Sequence, residues 1–293
     1  MKERSIITNL LPTLVLSVAM GVSLICGILS SGIFALAIYL FPILYFVFYF
    51  VTKANNLGFP MYFFIALAFL IGNTSSTMAQ KLPMVILFQS MVVVIAVVIC
   101  LIISLKNHKP LKPEDGVWNY IKKKYQIMLE NDPQMTLRIT MHCLILYIAG
   151  FTGFLLADYR GKWVLLSCGA VLIGDELKTL TRRGINFSIG VTIGCIIAFF
   201  IAFFEVPLSV RAWFYIPAFI GVFICMPRVS KHPQFYIGGS SMVAVIVMLG
   251  DSLVQDYMTY DIVAERFICG LIGLAIALIC THLVSAVNKQ VYA

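Results

Sequence analysis

The sequence predicts an all-α fold, a polytopic helical membrane protein of about ten transmembrane helices in two unequal halves. Three observations carry that prediction. From Ser5 to Thr52 the chain has no Asp, Glu, Lys or Arg, and charge-free stretches of similar character recur to the C-terminus. A bilayer core about 30 Å thick takes roughly 20 apolar residues at 1.5 Å rise each, so the first stretch alone holds two crossings. Across 293 residues, 61% are hydrophobic and 12% charged, with a mean hydropathy of +0.97, whereas soluble domains carry about 25% charged residues. Unpaired backbone groups in hydrocarbon cost several kcal/mol each, which leaves only helices or closed barrels. The unbroken apolar runs lack the alternation of barrel strands.

Charges and Pro or Gly punctuation set the elements in order. Lys2 and Arg4 precede an apolar stretch with no small-residue cleavage site, which predicts a retained signal anchor over 8–30 with a cytoplasmic N-terminus. A second crossing, 33–51, ends before Lys53, and Pro60 opens a third at 60–77. Lys81 separates it from a fourth at 83–105. Lys106 to Arg138 is the one sizeable polar stretch, and its Pro110, Pro113 and Asp115 read as a linker. Within it Trp118, Ile121, Tyr125 and Met128 share one helical face beside Lys122, Lys123 and Lys124, a pattern that suits either an interfacial helix or a solvated connector. Crossings follow at 138–157, 162–175, 184–204, 211–227, 234–250 and 263–286. The 162–175 segment is short enough to be tilted, shielded or incompletely crossing. Three domains result: 1–105, a four-helix membrane half; 106–137, a basic cytoplasmic linker; and 138–293, a six-helix membrane half.

Lys53, the Lys106 to Arg138 segment, Lys178, Arg182, Arg183, Arg228, Lys231 and Lys289 then share the cytoplasmic side, in keeping with the positive-inside rule. The outer connections hold Lys81, the Asp158/Arg160/Lys162 group, Glu205 with Arg211, and the Asp251 to Glu265 segment. Both termini are expected to be cytoplasmic. Laying Phe41-Pro42 and Phe59-Pro60 on Ile216-Pro217 and His232-Pro233 suggests a parallel internal repeat, with Gly21 falling near Gly190 or Gly194.

The +8 formal charge collects at the ends of apolar segments, where topology places it, so no nucleic-acid partner is expected. All eight cysteines lie in apolar segments without metal spacing, and no cofactor is expected. There is no nucleotide-binding Gly-rich loop and no recognisable nucleophile context, so the chain is not expected to be an enzyme and its energy must come from a gradient. Arg182 and Arg183 could attract an organic carboxylate through planar two-point donation, helped by the N-terminus of the 184–204 helix, although orientation alone also calls for arginines there. Asp175 and Glu176 are candidates for proton coupling, or simple partners of Lys178 and Arg182 one turn on. Glu265 and Arg266 form a candidate intramembrane pair or gate. Gly190, Gly194, Gly270 and Gly273 are assigned to helix packing. Gly238, Ser240 and Ser241 lie together inside a crossing, where small residues weaken a helix and binding sites form. His142 and His282 each sit about one turn from a cytoplasmic helix end.

The densest polar constellation is Asp158-Tyr159-Arg160-Gly161-Lys162-Trp163, then Asp175-Glu176 and the Thr179, Thr181, Arg182, Arg183 turn, then Gly190-x-x-x-Gly194. Trp163 opening a short helix, that turn, the Gly-x-x-x-Gly helix, and Arg266 seven residues before Gly273 together resemble the fusaric acid resistance protein-like superfamily over roughly 138–286. The sequence departs from that pattern at Phe187, where the family has Arg, and at Thr192. The resemblance implies an exporter of small aromatic or hydrophobic carboxylic acids in the bacterial inner (cytoplasmic) membrane, working with a periplasmic adaptor; the absence of a nucleotide site adds the expectation that the proton gradient drives it. On that reading Arg182, Arg183, Trp163, Gly238, Ser240 and Ser241 contact substrate, while Asp175, Glu176, Glu265 and Arg266 couple protons. The partners are the lipid bilayer, a small organic anion, the adaptor and a second copy in a homo-oligomer. Two alternatives stay open: a non-transporting scaffold or assembly subunit, and a membrane-embedded lipid- or glycan-modifying enzyme using Asp175 and Glu176.

Overall fold

The computed structural model describes residues 18–19, 21–29, 34–54, 117–157, 161–172, 176–204, 206–225, 228–229, 232–254, 260–288 and 291. Among these residues every regular element is helical. The expected crossings at 60–77 and 83–105, most of the linker before Val117, Asp175, and the Phe59-Pro60 leg of the repeat lie outside them.

The chain divides into two compact units, Met1–Thr136 and Leu137–Ala293. In the first, residues 21–29 are helical, followed by α1 (Phe34–Ala54), which carries Pro42 in its interior, and α2 (Val117–Asn131). Lys122 and Lys123 on α2 are exposed and Met128 is buried. The side chains of Trp118, Ile121 and Tyr125 lie outside the described set.

The second unit holds α3 (Met135–Ala157, opening at the boundary), α4 (Lys162–Val171), α5 (Leu177–Phe203), α6 (Leu208–Cys225), α7 (Phe235–Val254) and α8 (Tyr260–Val287). Stretches Met135–Leu156, Leu177–Phe203 and Val263–Val287 are long and apolar enough to cross a membrane. Their burial pattern inverts that of a water-soluble helix. Ile185, Ile189, Ile193, Ile196, Phe200 and Phe203 of α5, three or four residues apart, are all exposed, while Gly190, Gly194, Ala198 and Ala202 face inward. On α3, Leu144, Ile148, Phe151 and Leu155 form a similar outward stripe. An apolar stripe turned outward at helical spacing belongs against lipid or another apolar surface rather than water.

Small residues and hydroxyls fill the inside. Thr181, Thr192, Ser240 and Thr281 each donate to the carbonyl four residues earlier at 2.7–2.9 Å, which satisfies a polar group that has no water to turn to. Within the unit α7 packs on α5 and α6, and α8 packs on α4 and α5.

Three expectations shift. α5 opens at Leu177, not at 184, so Thr179, Thr181, Arg182 and Arg183 belong to its first turns rather than to a loop. Glu176 before it is extended, and Thr179 donates to its carboxylate at 3.4 Å. α7 runs unbroken through Gly238, Gly239, Ser240 and Ser241, so the helix is not unwound there. α4, at 10 residues, rises only about 15 Å and cannot cross a core of about 30 Å alone.

Candidate functional site

α4 is buried on nearly every side, with Lys162, Trp163, Val164, Leu165, Leu166, Cys168, Gly169 and Val171 all withdrawn from the surface. A helix so enclosed must be approached closely by its neighbours. Gly273 of α8 provides that approach: a Cβ there would meet the Val164 carbonyl and lie 3.0 Å from the Cys168 nitrogen and the Ser167 Cβ. A Cβ on Gly270 would lie 3.6 Å from Val191 of α5 and 3.7 Å from the Ser167 hydroxyl. Arg266 stands four residues before Gly270 and seven before Gly273, on the same helical face. The glycines therefore decide where its guanidinium arrives.

It arrives on the indole. The Arg266 Cζ lies 2.9 Å from the Trp163 ring centroid, and the Lys162 Nζ lies 5.9 Å from the same ring. Lys162 is only 3% exposed, and Arg266 is half-buried within electrostatic reach of Lys162 and of Cys195 on α5. Two basic side chains, one buried and one half-buried, thus meet around one aromatic ring. Glu265, also half-buried, sits one residue earlier on α8, about 100° around the helix from Arg266.

An aromatic layer gives the depth of this cluster. Phe199, Phe203 and Phe204 at the end of α5, Trp213 on α6 and Tyr260 at the start of α8 are all exposed. The Phe199 and Tyr260 ring centroids lie 5.2 Å apart, and those of Phe203 and Phe204 5.3 Å apart. A Tyr beside Phe rings at a helix end suits a membrane–water boundary. Arg266 follows Tyr260 by six residues, about 9 Å of helix toward the apolar interior. At that depth an ionisable side chain marks a candidate functional site.

A second seam joins α5 to α7. Gly190 lies against Ser240 and the Ile237 carbonyl, and a Cβ on Gly194 would be 2.6 Å from both the Ala244 Cβ and the Ser241 carbonyl oxygen. The Ser240 hydroxyl is committed to the Tyr236 carbonyl at 2.7 Å. Ser241 is 3% exposed, and among the described residues its hydroxyl has no hydrogen-bond partner. Gly238 faces Cys225 of α6, whose sulfur would lie 3.0 Å from an added Cβ.

Tyr236 ties this seam to α4. Its hydroxyl donates to the Ala170 carbonyl at 3.0 Å, satisfying one of the last acceptors of that short helix. Phe187, where the resemblance led one to look for Arg, instead sets its ring 6.3 Å from the Tyr236 ring. Arg183, half-buried, is within electrostatic reach of Tyr236, whereas Arg182 is exposed. Glu176 is exposed.

The arrangement thus brings Trp163 and Arg266 together and adds Lys162, which the sequence reading left out of the site. Its adjacency to Trp163 at the opening of a short helix was the available signal; its neighbour on α8 was not visible. Arg183, Tyr236 and the serines form a separate group toward the other end of α5.

At that end Arg138 of α3, 4% exposed, donates from Nε to the Val291 carbonyl at 2.7 Å. Val291 is buried with Leu180, and Leu137, Leu177 and Val284 pack around them. His142, one turn along α3 from Arg138, is fully buried.

Comparison with curated proteins and with solved structures finds no match for the chain. Residues 147–280 match the family model described as fusaric acid resistance protein-like, a stretch that runs from within α3 to within α8. That stretch of the second unit is thus similar to the fusaric acid resistance protein-like family.

Proposed function

We propose that the chain exports small aromatic or hydrophobic organic acids across the bacterial inner membrane, driven by the proton gradient. The family match and the apolar membrane-length helices fit membrane transport and efflux. The observation that carries the finer reading is the basic, aromatic cluster of Lys162, Trp163 and Arg266 lying deeper than the aromatic layer. An organic carboxylate finds there a planar two-point donor, a second cation and a ring. Arg183 and Arg182 at the opposite end of α5 serve as the cytoplasmic approach, with both termini on that side. Ser240 and Ser241 line the seam between the two ends. Glu265, beside Arg266, is the carboxylate placed to exchange a proton as the anion passes, with Asp175 and Glu176 as the further acids. In this reading the chain works as a transporter and not as an enzyme, with a periplasmic adaptor and further copies of itself as partners.

Efflux of benzoate from proteoliposomes near neutral pH, with and without an imposed pH gradient, tests it. The expected result is gradient-dependent efflux that falls at least about tenfold in Arg266→Met, equivalent to about 1.4 kcal/mol. Efflux no faster than from protein-free liposomes would overturn it.

A further inference from the structure

We propose that the turn between α6 and α7 holds the phosphate of an anionic phospholipid. The Arg228 guanidinium is its fork, His232 a second donor, and the outward face of α6 the seat of an acyl chain. This site lies apart from the cluster on Trp163 and does not rest on the exporter reading.

Ile216, Ile220 and Ile224 stand four residues apart on α6 and are 52%, 53% and 48% exposed, one outward stripe along the helix. Arg228 takes the next place in that series. Its Nη1 donates to the Ile224 carbonyl at 2.7 Å, so the guanidinium returns to the end of the stripe while staying exposed. An apolar row that ends in an exposed cation matches an amphiphile with a chain on one side and a negative head on the other. The proposed orientation puts this turn on the cytoplasmic leaflet, whose surface is negative.

The turn is built to hold that geometry. The His232 nitrogen donates to the Arg228 carbonyl at 2.8 Å, and the Phe235 nitrogen to the His232 carbonyl at 3.0 Å. The Phe235 ring stands 5.8 Å from the Arg228 Cζ and 6.0 Å from the His232 ring, so one ring gathers both basic side chains. Asn186 of α5 donates from Nδ2 to the Pro233 carbonyl at 3.0 Å, which fastens the turn to α5. Among the described residues the partners of Arg228 are the Ile224 carbonyl and the Phe235 ring, both neutral. A phosphate diester offers the remaining N–H groups two parallel charge-assisted hydrogen bonds. A lysine would supply the charge without the fork. That difference separates a built site from basic residues placed by orientation alone.

The test titrates the purified full-length protein, in a neutral detergent, with dioleoyl phosphatidylglycerol or dioleoyl phosphatidylcholine. Lipid retained per protein is read by native mass spectrometry, and size-exclusion elution reports folding. Phosphatidylglycerol is expected to fill one position at a midpoint at least about tenfold below that of phosphatidylcholine. Arg228→Gln should raise that midpoint at least about fivefold, with Arg228→Lys falling between the two. His232→Ala and Phe235→Leu should each raise it about twofold. Lys122→Gln with Lys123→Gln, exposed bases of the first unit, should leave it in place. A midpoint unmoved by Arg228→Gln overturns the site, as does Arg228→Lys binding as tightly as wild type. If Arg228→Gln does not fold, wild-type midpoints in both His232→Ala and Phe235→Leu overturn it instead. An equal loss in the Lys122 and Lys123 pair reduces the effect to bulk charge and sinks the site. Glycerol phosphate displacing the lipid at equal concentration would assign the turn to a soluble phosphate and overturn the lipid.

Discussion

The two ends of the second unit each withdraw an arginine from water, and they hold it differently. Arg138 donates at 2.7 Å to a main-chain carbonyl at Val291, an acceptor that the fold itself fixes in place. Arg266 lies on the face of an indole, next to a buried lysine. A carbonyl in a packed turn has nothing to gain by letting go. The attraction of a ring quadrupole for a cation is weaker than that of a full negative charge at the same depth.

The sharpest way to break this comparison is to exchange the outcomes. Arg266→Met should reduce benzoate efflux by 10- to 100-fold, about 1.4–2.8 kcal/mol, while thermal unfolding in detergent moves little. A large fall in melting temperature with flux per folded protein intact would reverse the assignment. Gly194→Ile, driven into Ala244 and the Ser241 carbonyl, should cost about 1–3 kcal/mol or more by overpacking, read as lost folded protein on size-exclusion chromatography. Arg138→Met should destabilise by about 1.5–3 kcal/mol through the lost charged hydrogen bond, with faster proteolysis at the C-terminal tail and flux per folded protein within twofold of wild type. Tyr236→Phe leaves the Ala170 carbonyl without its hydroxyl donor and should cost about 1 kcal/mol in the same melts. Glu176→Gln, at an exposed helix start, should change flux less than twofold, and a larger loss would move proton exchange from Glu265 to that end.

A comparison across the chain adds to this. The proposed repeat lays Gly21 on Gly190 or Gly194, yet a Cβ at Gly21 meets no described atom within 4 Å, while at the other two it would collide with α7. Pro42 and Pro217, by contrast, do share a setting, since each lies inside a helix of its unit.

Where the reading from sequence missed, the cause is physical. Lys178, Arg182 and Arg183 lie between the expected crossings at 162–175 and 184–204, but α5 already runs from Leu177. Charge marks where hydrocarbon stops, and a helix has no reason to stop there, since Lys and Arg are good helix formers. Gly238, Gly239, Ser240 and Ser241 suggested a weakened helix, and α7 passes through them intact. In lipid the backbone has no water to bond instead, so weak intrinsic propensity is overridden. Phe187 carried no sign that it would pack on Tyr236, because that contact depends on how α5 and α7 meet.

What the amino-acid order settled alone was the helical class of the described elements, since charge-free runs of membrane length favour helices, and the pattern from Trp163 to Gly273 that resembles the family. What the packing alone decided was which polar groups meet. Lys162 and Arg266 are far apart in the chain and come to one ring because Gly273 lets α8 touch the backbone of α4. Helix formation is written locally, in the neighbours of each residue, whereas the company a buried charge keeps is set by interhelical distances that no local pattern encodes.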